Sequence, residues 1–402
     1  MVLERTGSLG GEPVAVADAA GRVLAEAVTS DDTVPGFDNS AMDGYAVRAA
    51  DTAAASGESP VALTLIGESQ AGHPADEAIG PGEAIAISTG AMKPDGADAV
   101  VRVEDTDGAR QGQVSIQVAV EPGRDLRHAG DDIVAGDLVL DRGAELGPVE
   151  IGVLASIGRA KVVCARRPQV AVLTTGDELQ EPGSPLRPGG IRNSNAHSLS
   201  ALVAAAGGEV AFTEIVADTP EATEAALARA LTTDLTVISG GVSVGPHDHV
   251  RPALETLGAE QVFWGVALRP GKPTWFGLAP RRQGLRPGRG LVFGLPGNPV
   301  SAVVTFLLFV RPAIKAMLGS DVGAPQRTTA ILDERYAKLP GRAHLVRCAL
   351  ELKEDGWHVL TTGAQSSHVL TSLLGADALA IIPTECGDVA AGERVEIELL
   401  PR

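Results

Sequence analysis

Cysteine is scarce in this chain. Cys164, Cys348 and Cys386 are its only three in 402 residues, widely separated and in no CxxC spacing. That excludes a disulfide-stapled secreted scaffold and predicts incidental thiols in a reducing, cytoplasmic setting. Aromatic residues are only 3% of the chain, against many Ala, Gly and Val. Few large rings argue against an all-β sandwich and for Ala/Val-packed α/β layers. Positive charge is in deficit, with a formal net charge of −18, so a general nucleic-acid binder is not expected. Long hydrophobic runs are missing. The longest, residues 302–310, contains Thr305 and is too short to cross a bilayer. The first residues carry neither the basic segment nor the apolar core of a signal peptide, so neither export nor a membrane partner is expected.

What is present changes character along the chain. Residues 13–16 read as a strand and 18–28 as a helix. From about 29 to 130 come short alternating segments punctuated by Gly, Pro and Asp, including 61–66, 83–87 and 113–120, which predict a mostly β domain. Residues 137–140 and 148–157 read as a strand and a short helix. From Gln169 strands and helices alternate: strands at 170–174, 209–216, 235–239, 261–268 and 290–294, helices at 194–206, 220–231, 249–257 and 299–318. Thr219-Pro220 and Asn298-Pro299 supply caps followed by proline at the first helical position, and Gly319 supplies a stop. Residues 327–402 return to strand-like alternation. The expected fold is therefore multidomain α/β. Segments 1–30 and 130–167 flank a β-rich domain at 31–129. A central three-layer α/β domain with a mostly parallel sheet occupies 168–324, and a small C-terminal β-barrel 325–402. Residues 281–289 read as a solvated loop with incidental arginines.

In a parallel sheet ligands bind at the carboxyl ends of the strands, and all five turns expected there carry polar chemistry. They are Thr174 to Glu178, Asp218-Thr219, Ser239 to Asp248, Arg269 to Lys272 and Leu295 to Asn298. The third is the most informative. Gly240, Gly241 and Gly245, with Ser243, let backbone N–H groups approach an anion without Cβ interference, and Asp248 adds a carboxylate at a helix start. The combination points to a phosphorylated ligand handled with a metal, although such a turn can also be only a tight turn. His247 and His249 straddle Asp248 but do not share a face, and are read as non-ligands.

Several runs carry a family resemblance. Val34-Pro-Gly-Phe-Asp-Asn-Ser-Ala-Met-Asp-Gly-Tyr-Ala-Val47, Ser88-Thr-Gly-Ala91, Gly130-Asp-Asp-Ile133, Thr175-Gly-Asp-Glu-Leu179, Ser239 to Gly245, Pro270-Gly-Lys-Pro273 and Leu295-Pro-Gly-Asn-Pro-Val-Ser301 resemble the molybdopterin molybdenumtransferase family, in order and over nearly the whole chain. The resemblance implies insertion of molybdenum from molybdate into adenylylated molybdopterin, with release of AMP and use of Mg2+. It also implies an elongated four-domain protomer, in which 1–30 and 130–167 form one discontinuous N-terminal domain with 31–129 inserted in it, a homodimer with the cleft shared between protomers, and a molybdopterin adenylyltransferase as upstream partner.

Carried over by motif, the catalytic acids are Asp43, Asp132, Glu178, Asp218 and Asp248, with Asp218 and Asp248 on the metal. Thr89, Gly240, Gly241, Ser243, Gly245, Pro296 and Pro299 line the substrate. Arg269 and Lys272 are the counter-charges for molybdate and phosphate, which clustered acids alone would repel. The dithiolene sulfurs belong to the substrate, so no Cys or His ligand is required. Each acid has a plainer reading as a turn or helix-start residue. The chain departs from the family pattern at Gly265 and Arg269, where lysine is common, at Asn193, where aspartate is usual, and in a short N-terminal helix. The competing readings are an adenylyltransferase, disfavoured by the flanking β domains, and a non-catalytic scaffold, disfavoured by the retained acids.

Overall fold

The computed structural model describes residues 1–242, 248–280, 289–320 and 327–400. Its N-terminal unit joins distant segments. Strand Gly11–Ala15 pairs antiparallel with Lys161–Ala165, and Val28–Thr29 with Leu138–Leu140. Helix Pro148–Ser156 packs Leu154 into the same core as Val16, Leu24 and Cys164. The helix expected over 18–28 does not form. Only the 3-10 turn Val16–Asp18 is helical, Gly21 takes a positive φ of 72°, and Leu24 N and Ala25 N donate to Ala144 O and Val163 O. Long-range pairing there outcompetes a weak local propensity.

Between these segments lies a six-stranded sheet containing Gly44–Val47, Val61–Ser69, Glu83–Ile87 and Gln113–Ile116. Gly44 faces Ile87 on one side and Arg102 on the other. A Cβ at Gly44 would strike the Val101 carbonyl oxygen, so the close approach requires glycine.

The central domain is built as the alternation predicts. Strands β1 (Gln169–Thr175), β2 (Glu209–Val216), β3 (Leu235–Ser239) and β7 (Arg289–Leu295) are parallel, in the order β2-β1-β3-β7. Helices α1 (Ser194–Ala205), α2 (Pro220–Ala230) and α3 (Val250–Thr256) connect them. The segment expected as one strand over 261–268 divides into β4 (Glu260–Trp264) and β5 (Leu268–Arg269), with Gly265 between them at φ 78°. A further strand, β6 (Trp275–Pro280), lies antiparallel between β7 and β4. Two reversals return β4 to the direction of the parallel strands, so Trp264 ends level with Trp275 and Gly294. The described residues of all five polar turns therefore lie along one edge.

Helix α4 (Pro299–Leu318) is 20 residues long and apolar enough, by length and composition, to cross a membrane, but 72% of its apolar window is buried inside the protein. Ala302, Phe306, Val310, Ala313, Ile314 and Met317 pack against the sheet, which makes it a core helix. Its middle, Phe306–Val310, is a π turn. Pro312 follows and lacks the N–H that would bond four residues back.

Beyond it, β8 (Arg327–Leu332), β9 (Ala343–Lys353), β10 (Gly356–Thr361), β11 (Ala378–Ile382) and β12 (Arg394–Leu399) close into a five-stranded barrel through the order β9-β10-β8-β12-β11-β9. Closure removes exposed strand edges. Strand β5 leaves the central domain to pair in parallel with the start of β9, Leu268 opposite Ala343 and Arg269 opposite His344. The barrel is thereby fastened at the carboxyl edge of the central sheet.

Candidate functional site

The register sets the site. Thr174, Ser239 and Leu295 lie side by side, and Thr175 lies beside Val216. The glycine turn packs tightly here. A Cβ on Gly240 would lie 2.7 Å from Thr175 Oγ1, and one on Gly241 2.7 Å from Val250 Cγ2. Both glycines also have positive φ, 96° and 64°. Their identity is thus demanded by packing and backbone together. The Gly240 N–H donates to Leu295 O at 3.0 Å, so that amide is engaged within the protein rather than offered to a ligand. Ser243, Gly245 and His247 lie outside the described residues.

The acids divide into two groups. Asp177 and Asp218, at the ends of β1 and β2, interlock: Asp218 N donates to Asp177 Oδ1 at 3.2 Å, and Asp177 N to Asp218 Oδ2 at 3.4 Å. Thr219 then caps α2, its Oγ1 accepting from Ala222 N. The Glu178 carboxylate folds over Gly176, within 2.6 Å of where a Cβ would stand. Asp248 lies two residues before α3, next to its N-cap residue His249. The second group is on the N-terminal domains. Asp43 Oδ1 accepts from both Thr89 N, at 2.7 Å, and Thr89 Oγ1, at 3.0 Å. Asp132 is exposed, with its N–H donating to Val34 O. Asp43 and Thr89 are therefore brought together as a pair, while Asp132 bonds to neither of them.

Two cavities lie at the sheet edge. The first, about 400 Å³, is lined by Arg269, Lys272, Arg342, Ser366 and Ser367 and by no acid. The second, about 620 Å³, is lined by Thr175, Glu178, Asn195, Ser239, Gly297 and Pro299. Pro273, Pro296, Asn298 and His368 line both. Of the residues expected at the site, Asp43, Thr89 and Asp132 line neither, and Asp218, Asp248, Gly240 and Gly241, although at the sheet edge, also lie outside both walls. Arg269, Lys272 and Arg342 are exposed at the cavity wall and make no ion pair with any described acid. The charge is felt behind the cavity too. His344, buried in the barrel with its Nδ1 3.0 Å from Tyr336 Oη, has its pKa pushed down to about 4 by burial first, then by Arg269, Lys338 and Arg342.

Arg342, Ser366, Ser367 and His368 are the residues that sequence reasoning missed. They belong to the barrel, and only the β5–β9 pairing brings them to the sheet edge. Two asparagines also differ from expectation. Asn298 stands at the N-cap of α4, but its side chain does not cap; Nδ2 donates to Ser367 Oγ at 2.9 Å. Asn193 caps α1 through Ala196 N, while its amide donates to Thr174 Oγ1 at 3.0 Å and Glu181 Oε1 at 3.3 Å. An aspartate there could not donate to either.

Among the described residues no three acids, histidines or cysteines converge as a metal cage. Asp177 and Asp218 each keep carboxylate oxygen capacity beyond their backbone bonds. That donor set fits a magnesium ion completed by substrate phosphate and water, because magnesium commonly uses only one or two protein carboxylates.

A mostly parallel sheet whose loops present acids on one side and unpaired cations on the other, roofed by a barrel, defines an α/β enzyme that handles an anionic ligand at its strand ends. Comparison with known proteins narrows that class. Residues 1–158 match the MoeA N-terminal region (domain I and II), 171–316 the "Probable molybdopterin binding domain", and 329–400 the MoeA C-terminal region (domain IV). The chain is 38% identical to a molybdopterin molybdenumtransferase of Haemophilus influenzae, over 95% of this chain and 92% of that one. It is 35% identical to the protein of that name in Bacillus subtilis, over 97% and 90%. A crystal structure of a molybdopterin biosynthesis MoeA protein from Pyrococcus horikoshii superposes with a TM-score of 0.83 at 30% identity, covering 99% of this chain and 97% of that one. The chain belongs to the molybdopterin molybdenumtransferase family, a family of transferases in molybdenum cofactor biosynthesis.

Proposed function

We propose that this molybdenum transferase takes molybdate in the acid-free cationic cavity and adenylylated molybdopterin in the neighbouring one, joins metal to dithiolene and releases AMP. The observation that carries the reading is the shared wall of two chemically opposite cavities. Arg269, Lys272 and Arg342 suit a tetrahedral dianion, with Arg269 and Arg342 offering planar forks of donors. The second cavity lies between the N-termini of α1 and α4, which favour a phosphate end. Glu178 lines the adenylate cavity, and Mg2+ would be held beside it by Asp218, which bonds to Asp177, with Asp248 as the second carboxylate. When bound, that ion would offset charge on the phosphoanhydride and its leaving group. The residues of the chain orient the two reactants and hold the oxyanion against the dithiolene sulfurs.

Asp43, Thr89 and Asp132 are exposed and line neither cavity, which supports a homodimer in which one protomer's N-terminal domains complete its partner's site. Val149 and Leu138, 72% and 57% exposed on that domain, supply apolar surface for such contacts. An adenylylated substrate requires an adenylyltransferase upstream. The buried free thiols Cys164 and Cys348 suit a cytoplasmic setting. The test is AMP release from adenylylated pterin with and without molybdate. Molybdate-dependent release is expected. ATP consumption would indicate an adenylyltransferase instead, and no turnover a scaffold.

A further inference from the structure

The Pro296–Asn298 turn is the wall between the two cavities, and hydrogen bonds hold it from both sides. On the sheet side, Asn195 Nδ2 donates to Gly297 O at 2.7 Å and to Ser239 Oγ at 2.8 Å, and Ser239 Oγ donates to Pro296 O at 3.2 Å. On the barrel side, Asn298 Nδ2 donates to Ser367 Oγ at 2.9 Å, and Val300 N donates to Ser367 O at 3.1 Å. The barrel loop thus takes up a backbone N–H in the first turn of α4 that the helix itself cannot satisfy. Asn at an N-cap ordinarily uses its own side-chain oxygen for that purpose. Here the side chain reaches away from its helix, toward the barrel. The next residue after Ser367 is His368, which lines both cavities.

We propose that Asn298 is a positioning residue: its bond to Ser367 latches the barrel loop 365–368 onto the dividing turn and holds the barrel side of the oxyanion cavity in place. The inference rests on the reading of that cavity as the molybdate chamber. Strand β5 fastens the opposite wall through its ladder with β9, whereas the loop is held to the barrel by Arg347, whose Nη2 donates to Ala364 O and Ser366 O, and to the dividing turn by the Asn298–Ser367 bond and one backbone bond. Without the latch, Ser366, Ser367 and His368 keep their chemistry but lose their fixed distance from Arg269 and Lys272, and binding weakens.

Asn298→Ser separates the latch from a plain helix-start role. Serine is as good an N-cap as asparagine but is too short to reach Ser367. The measurements are calorimetric titration of the full chain with molybdate, hydrogen exchange at the Val300 amide, and thermal melting. Asn298→Ser and Ser367→Ala are each expected to weaken molybdate by roughly three- to tenfold, speed Val300 exchange and leave the melting temperature unchanged. Ser367→Thr, which keeps the hydroxyl, should behave like the unmodified chain. The double variant should be no weaker than either single one, because both remove the same bond. Unmodified molybdate affinity in Asn298→Ser, or losses that add in the double variant, would overturn the latch. If the unmodified chain binds no molybdate, the chamber reading fails, and Val300 exchange alone decides the latch: unchanged protection in Asn298→Ser refutes it.

Discussion

At the scale of single residues, the cations at the sheet edge carry the clearest consequence. Arg269, Lys272 and Arg342 face one cavity with no acid on its walls. Losing one charged hydrogen bond to an oxyanion costs about 1.5–3 kcal/mol, a ten- to hundredfold change in affinity. Arg269→Ala and Arg342→Ala are therefore expected to raise half-saturating molybdate at least about tenfold, with rescue by excess molybdate. An unshifted titration of AMP release in both would remove the guanidinium groups from the site. Restoring the family's lysine at Gly265 is not expected to compensate. Nothing but Lys272 O lies near a Cβ there, at 3.9 Å, yet φ is 78°. A side chain in that left-handed region costs about 1–2 kcal/mol, so Gly265→Lys should lower the melting temperature.

At the scale of elements, the barrel carries two histidines with opposite pH behaviour. His344 is buried among Arg269, Lys338 and Arg342 and titrates at about 4, below its ordinary 6.5. The unfolded chain protonates first, so His344's contribution to stability is whole above 6.5 and is lost as pH falls toward 4. His358 lies between Asp333, at 2.6 Å, and Asp355, at 2.8 Å. The hydrogen bond to Asp333 first, then that to Asp355, raises its pKa above 6.5. Its contribution is whole below 6.5 and is lost as pH rises through the raised value. Asp333, whose pKa is lowered first by Lys353 and then by His358, keeps its contribution above the carboxylate range. Barrel stability should therefore peak near neutrality. His358→Gln should flatten the alkaline limb of a melting-temperature profile, and His344→Gln the acid limb between 6.5 and 4. Limbs unchanged by these substitutions would assign the profile to other groups.

At the scale of the whole molecule, the two groups of acids make a prediction about assembly. Asp43 and Thr89 bond to each other on the inserted domain, away from the cavities of the same protomer, whereas Asp218 and Asp248 stand at the central sheet. If partners complete one another's sites, inactive Asp43→Ala and inactive Asp248→Ala protomers should regain partial AMP release when mixed, because the heterodimer holds one intact site. Full activity in a species that sediments as a monomer would remove the shared site. The uneven charge fits this scale as well. A chain with a net −18 that gathers unpaired cations in one cavity directs an oxyanion there rather than to its surface at large.

The sequence by itself determined much of this protein. Strong periodicity set strands of the inserted and central sheets, several to the residue, as at Glu83–Ile87, Glu209–Val216 and Leu235–Ser239. Direction followed from alternation, and with it the edge where Glu178, Asp218, Lys272 and Pro296 meet. Motif resemblance supplied the family. Tertiary structure decided what depends on partners distant in the chain. Residues 18–28 lost a helix to backbone pairing with 144 and 163, and residues 261–268 were split so that Leu268–Arg269 could join the barrel. That one parallel pairing carried Arg342 and Ser367 to the sheet edge and drew the Asn298 side chain away from its own helix. Local sequence encodes periodicity and turn chemistry because these act over a few residues. It does not show which remote backbone will compete for the same hydrogen bond, and that competition placed the barrel half of the site.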